Sequence, residues 1–404
     1  MDTITHGIAG ALIAKAAFHG DDLFPLTPVT KRRVITWSLM LGAIFPDSDV
    51  FRDMLSSDKL LMLTWHRSIT HSLICFPLWT LLLAALTYKI ARWRKWNSPS
   101  FRALCGIWAV GILSHILLDL LTTFGTMIWS PLQWSRPAWD VLFIIDFTFT
   151  AILLVPQLLA WIFENPGFLR RRALTMSLIF IPAPFLVARF AQIVGAPISA
   201  GATLFATILL AALFLSPVLF GWGTQTSYAA WNRAGLALAI IYILAATFAH
   251  HVALKRIEEF AKRENVQVDA IGALPLPPSL WHWDGLVRAP RGVYELRMDL
   301  SEDLTKKGLF NAEYSNPAVL QHKYYPDALP NSYIDQARAL PEVQKVLWFA
   351  RFPVTRFHKE GPDAIVEISD LRFPQTRHDR AASFTYRIRF ADNGTILSQG
   401  WVTR

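Results

Sequence analysis

Histidines and aspartates recur in the first third of this 404-residue sequence in pairs whose spacing suits a divalent cation. His115 and Asp119 are four residues apart, so on a helix both project from one face about one turn apart. That pair can hold one ion, or Asp119 can bridge two. His66 and His71 bracket Arg67-Ser68-Ile69-Thr70, a spacing that suits a loop entering a helix better than a continuous helix. Asp47 and Asp49 fall in Pro46-Asp47-Ser48-Asp49, while His6 lies at the N-terminus and Asp140 and Asp146 lie further on. Carboxylates and neutral imidazoles are the usual protein ligands of such ions. Arg67 could grip an anionic group bidentately, as guanidinium does phosphate.

Each residue alone also has a plainer reading. A single interfacial histidine can be a hydrogen-bonded structural residue, and Asp49 or Asp146 can cap a helix or pair with an arginine. The joint pattern favours a metal site with His6, Asp47, His66, His71, His115, Asp119 and Asp146 as ligands. Asp49 or Asp140 would then serve as general base, and Arg67 would stabilise charge on the substrate.

The elements that must position these groups are membrane helices. The chain is 53% hydrophobic and only 17% charged, against about 25% charged in soluble domains. A spanning helix needs about 20 mostly apolar residues. Segments 69–90, 103–128, 140–163, 173–195, 201–221 and 234–253 meet that, and the shorter 5–18 and 34–51 carry polar residues at one end. The sequence thus predicts an all-α polytopic bundle of about eight spans, followed by a C-terminal α+β soluble domain. Residues 1–155 would form the metal-site membrane domain, 156–253 additional spans, and 254–404 the tail domain.

An ionised side chain near the bilayer centre costs about 2.5–3.5 kcal/mol on insertion scales, so several at one level require compensation. A divalent cation supplies it. The net charge of +9 sits largely in clusters beside apolar runs: Lys31-Arg32-Arg33, Lys89 to Lys95, and Arg170-Arg171-Arg172. There they read as topology signals rather than as a nucleic-acid surface, and no nucleic-acid partner is expected. With all three clusters cytoplasmic, the His/Asp residues fall on the outer side and the tail is extracytoplasmic. The charge rule takes no account of those residues, so their agreement is a partly independent check. Lys255, Arg256, Lys262 and Arg263 run against this orientation unless they belong to a helix of the tail.

Cys75 and Cys105 both fall in apolar segments and mark no disulfide framework, and Met1 to His6 lacks the basic start of a cleaved signal. In the tail, 331–351 reads as a helix interrupted at Pro341, and 364–368 as a strand. Ser383 to Phe390 alternates apolar and polar, then Asp392-Asn393-Gly394 turns into Thr395-Ile396-Leu397, a hairpin signature. His19, His250, His251, His282, His322, His358 and His378 show no ligand spacing.

In five ordered stretches the sequence resembles the YdjM-type family of inner-membrane proteins, regarded as membrane-bound metal-dependent hydrolases. These are Met1 to His6, Pro46 to Asp49, His66 to Ser72, His115 to Gly125, and Trp139-Asp140 through Asp146. A fainter similarity, in the order His6, Asp47, His66, His115 and Asp119, leads to the zinc-dependent phospholipase C and single-strand nuclease superfamily. The resemblance implies a multi-pass protein of the bacterial inner membrane with one or more divalent ions, zinc favoured. It further implies a hydrolase, with a phosphoester as the favoured bond, and the location of the site at the outer headgroup level suggests a lipid or lipid-linked substrate at the extracytoplasmic face. A cation-binding transporter and a non-catalytic, metal-stapled scaffold are the alternatives.

Overall fold

The computed structural model describes residues 1–18, 28–56, 58, 60–193, 198–221, 223, 225–300, 319–373 and 384–402. Their contacts divide the chain into two units. The first comprises Met1–Pro46, Cys75–Leu118 and Phe147–Tyr242, and the second Asp47–Ile74, Asp119–Asp146 and Ile243–Arg404.

The first unit is helical. It contains α1 (Thr3–Ala17), α2 (Pro28–Ile44), α5 (Phe76–Trp93), most of α6 (Phe101–Leu120), α7 (Phe147–Phe163), α8 (Leu169–Phe180), α9 (Ala183–Ile193) and α10 (Ala200–Phe220). It also holds the start of α11 (Tyr228–Arg263). Helix α1 starts where the Asp2 carboxylate accepts from the Thr5 backbone N–H at 2.9 Å. Small residues let α1, α2 and α6 approach closely: a Cβ on Gly10 would lie 2.9 Å from the Leu39 carbonyl oxygen, and one on Gly111 2.7 Å from the same atom. Gln157 on α7 donates to the Ile8 carbonyl at 3.0 Å and accepts from Lys15 Nζ at 2.9 Å, satisfying polar groups among apolar helices.

Among the described residues, five helices are long and apolar enough to cross a membrane: Arg32–Arg52, Phe101–Leu120, Pro166–Arg189, Ala200–Phe220 and Tyr228–Arg263. A sixth crossing results if the pair Leu61–His71 and Phe76–Trp93, bent by 68°, is counted as one span. The expected eight are not reached among the described residues. The segments expected at 5–18 and 140–163 form helices of 15 and 17 residues, at or just below the short end of the range of about 17–25 residues that a crossing takes. The last apolar segment does not stop near 253 but continues through Lys255 and Arg256 to Arg263 as one helix.

The second unit contains two antiparallel four-stranded sheets. The first is ordered β1 (Ala270–Leu276), β2 (His282–Ala289), β3 (Gly292–Asp299), β4 (Val319–Pro326). The second is ordered β5 (Pro353–Glu360), β6 (Asp363–Asp370), β7 (Thr385–Phe390), β8 (Ile396–Trp401). Trp283, Val287, Leu296 and Met298 of the first sheet bury against Ala253, Ile257 and Phe260 of α11. Gly285 makes room there, since a Cβ would meet Ile257 Cγ1 at 2.8 Å. The second sheet packs Val366, Ile368, Ile388 and Phe390 against α12 (Ser332–Ala339) and α13 (Pro341–Phe349). The same core takes in Leu60, Leu63 and Phe124, so it includes residues next to the His/Asp motifs. The expected helix break at Pro341 is present, and so is the hairpin, with Gly394 at φ +82°. Ser383 of that expectation, like His19 and His378, lies outside the described residues.

Candidate metal centre

The second unit also contains the short helices α3 (Val50–Leu55) and α4 (Leu61–Thr64) and the loops on either side of them. Asp47 and Asp49 lie on a single 3-10 turn, Phe45–Asp49, that continues from α2. His71 ends another, Ile69–His71, at the entrance to α5. The five-residue spacing of His66 and His71 is therefore realised as a loop leading to a helix, as expected. Asp119 lies in the last turn of α6, and His115 one turn before it on the same helix. The donor atoms of Asp47, His71, His115 and Asp119 all lie within 4.8 Å of one another, a grouping that could hold a metal ion. His71, His115 and Asp119 are fully buried.

The surrounding hydrogen bonds orient each donor. His115 Nδ1 lies 2.6 Å from the Ala43 carbonyl, so Nδ1 carries the proton and Nε2 keeps its lone pair. His71 turns Nε2 toward Asp119 Oδ2, at 3.2 Å, and Asp47 Oδ1, at 3.7 Å. Its Nδ1 lies 3.4 Å from Asp49 Oδ2 and 3.0 Å from Thr70 Oγ1. Arg67 holds the other oxygen of Asp119 at 2.9 Å and donates to Thr122 Oγ1 at 2.9 Å. Three carboxylates, Asp47, Asp49 and Asp119, gather around the imidazoles of His71 and His115, with the Arg67 guanidinium on Asp119. The donor set therefore fits a divalent cation in chemistry and spacing.

Arg67 is held in an unusual backbone state. Its φ is +61°, a left-handed conformation that costs a residue with a side chain about 1–3 kcal/mol unless its surroundings enforce it. The enforcement is visible. Its N–H donates to Asp49 Oδ2 at 2.8 Å, and its carbonyl accepts from Met127 N–H at 2.9 Å. The segment after α6 is laced to the same loop, with Leu73 N–H donating to Ile128 O at 2.9 Å. Gly125 permits this path: its φ is +79°, and a Cβ there would meet the Arg136 carbonyl oxygen at 2.9 Å.

The remaining expected site residues lie as follows. His66 is not in the four-donor group; its Nδ1 pairs with Asp49 Oδ1 at 2.9 Å. His6 stacks on His115 with ring centroids 3.7 Å apart. Asp49 accepts from His66, the Arg67 N–H and Thr70. Asp140 and Asp146 are not brought to the cluster. Asp140 accepts both bonds of Arg351, at 3.0 and 2.8 Å, and Asp146 accepts from the Ser279 N–H and hydroxyl. The Arg67 guanidinium meets Asp119 and Thr122. Thr70, Thr122 and Arg136 complete the surroundings. Arg136 donates to the Leu63 carbonyl at 3.1 Å and to the His66 carbonyl. Burial, with Arg67 and Arg372 nearby, brings its guanidinium down to about 9. Of these, Thr122 could be found from its place on the His115/Asp119 face, whereas Arg136 carries no local signal.

Five or six candidate spans among the described residues, together with a group of carboxylates and imidazoles able to hold a metal, define a multi-pass membrane protein with a candidate metal centre. The family described as YdjM inner membrane protein matches residues 1–256, and the chain belongs to that family. No match was found among curated proteins, and none among solved structures.

Proposed function

We propose that this protein is a membrane-bound, metal-dependent hydrolase acting on a phosphoester or lipid-linked substrate at the extracytoplasmic face. The observation that carries the reading is the convergence of Asp47, His71, His115 and Asp119 within 4.8 Å. A divalent ion bound there, zinc favoured, would lower the pKa of a coordinated water to about 7 and polarise a phosphoryl oxygen. The protein's own groups prepare for this. The Ala43 carbonyl fixes the His115 tautomer, Asp49 turns His71, and Arg67 withdraws one oxygen of Asp119 so that the other faces the donors. His66 and Asp47 retain side-chain exposures of 16% and 8%, against 0% for His71 and Asp119, and mark the side from which substrate would enter. The extracytoplasmic placement of the centre and tail rests on the arginine and lysine clusters of the short loops.

The test uses the purified full chain loaded with Zn²⁺ or Mn²⁺, assayed on a phosphodiester and on phospholipid vesicles beside His115→Ala. Metal-dependent turnover that disappears in the variant is the expected result. Equal turnover in both proteins would remove the hydrolase assignment. Metal binding and stabilisation without turnover on any phosphoester would favour the scaffold instead.

A further inference from the structure

Guanidinium groups and phenyl rings alternate from the metal-ligand loop into the C-terminal domain, all within the second unit. Arg67 lies over the Phe124 ring at 5.2 Å. Arg136 lies over Phe124 at 4.6 Å and over Phe349 at 5.2 Å. Arg372 lies over Phe349 at 4.6 Å and over Phe373 at 5.2 Å. The rings also touch: Phe124 and Phe349 are 5.1 Å apart between centroids, and Phe373 stacks on Phe384 at 4.0 Å.

Each arginine also pins backbone. Arg136 binds the carbonyls of Leu63 and His66, on the strand of chain that leads into Arg67. Arg372 is clamped by Asp370 at 2.8 and 2.7 Å, donates to the Phe349 carbonyl at 2.6 Å, and reaches the Thr123 carbonyl at 3.1 Å. Thr123 follows Thr122, which Arg67 itself holds. The two segments that carry the metal-side groups, 63–72 and 119–127, are therefore each fastened by an arginine whose rings or partners belong to the tail.

We propose that Phe349 and Arg372 are positioning residues of the metal centre, holding Arg67 and through it Asp119 by way of Phe124 and Arg136. Neither residue falls in the matched 1–256 segment, so that segment depends on this chain's tail to keep its centre formed. The inference rests on the metal reading above, yet part of its test does not. A stack of this kind is suited to the task, because a planar cation gains most over a ring face when water is excluded, and its fork fixes direction as well as distance.

The experiment compares the full-length protein with Arg372→Gln, Arg372→Lys, Arg136→Lys and, as a control for general loosening, Val287→Ala in the core of the first sheet. Two quantities are read: hydrogen exchange without metal, and Co²⁺ affinity with its visible absorption. Arg372→Gln is expected to speed exchange in 63–72 and 119–127 by about tenfold while 282–289 keeps its rate. It is expected to weaken Co²⁺ by about tenfold and to shift the absorption band, with Arg372→Lys recovering part of both. Arg136→Lys is expected to act in the same direction. Wild-type exchange and an unmoved band in Arg372→Gln and Arg136→Lys would overturn the proposal. So would an equal band shift in Val287→Ala, which would mean that the centre responds to any loss of stability. If the wild type binds no Co²⁺, the metal reading fails, and the exchange measurement still decides whether the tail positions the loop.

Discussion

Replacing Asp49 by Asn tests the arrangement around the ligands rather than the ligands themselves. The carboxylate accepts from His66 Nδ1 at 2.9 Å, Arg67 N–H at 2.8 Å and Thr70 Oγ1 at 3.2 Å, and lies 3.4 Å from His71 Nδ1. An amide of the same shape keeps one acceptor oxygen and sets an NH₂ against donors, so at least one buried donor loses its partner. That costs about 1–3 kcal/mol of stability. It also removes the charge that favours a proton on His71 Nδ1 and so leaves the tautomer of that imidazole unfixed. Losing a partner of this kind typically weakens metal binding 10- to 100-fold, or about 1.4–2.7 kcal/mol. The assay is competitive Zn²⁺ titration against a chromophoric chelator in detergent, with thermal unfolding recorded with and without metal. Asp49→Asn should bind more weakly by that factor, and the stabilisation conferred by metal should shrink. Affinity within threefold of wild type, together with lost turnover, would refute the orienting role and return Asp49 to the position of a general base.

The other perturbations separate the centre from its surroundings. Asp140→Ala should break the bidentate pair with the partly exposed Arg351 and cost about 1–2 kcal/mol in chemical unfolding, with Zn²⁺ affinity unchanged; a large affinity loss would place Asp140 among the ligands. Asp284 is fully buried beside Glu295 and Arg297, and burial raises its carboxyl well above the ordinary range. Its contribution to stability is thus complete below the usual aspartate pKa and falls as pH rises through the folded value. Asp284→Asn should therefore gain stability relative to wild type as pH increases from 4 toward 8, read by denaturant midpoints of the full chain. A parallel pH dependence in the two proteins would contradict it.

The parts of this molecule legible in the sequence are those written locally. The i, i+4 spacing of His115 and Asp119 and the loop spacing of His66 and His71 require no knowledge of the rest of the chain. The helix break at Pro341 and the Asn-Gly hairpin are equally local. Distant partners are not legible in this way. Asp140 and Asp146 follow a ligand-rich stretch, and the bonds that Arg351 and Ser279 make to them come from the C-terminal tail. The first sheet is hard to read because β1 is Ala-Ile-Gly-Ala-Leu-Pro-Leu, with glycine and proline where a clear alternation would stand. The crossings expected at α1 and α7 rest on hydropathy alone, and the helices there have 15 and 17 residues, at or just below the short end of a span. Arginines such as Arg136 and Arg372 carry no local signal, since a buried cation is recognised only by the carbonyls and rings around it.

The left-handed backbone at Arg67 bears on the order in which this protein can assemble. A glycine would take that conformation freely, so an arginine there is maintained by what its side chain and flanking peptide groups reach: Asp119, Thr122 and the Met127 amide. All three become available only when the end of α6 and the chain beyond it have already docked. The histidine-bearing loop is consequently a late-setting piece. On partial denaturation, or after a cut in 119–127, it should be the first to relax, taking His71 away from the other donors while most of the helices stay intact.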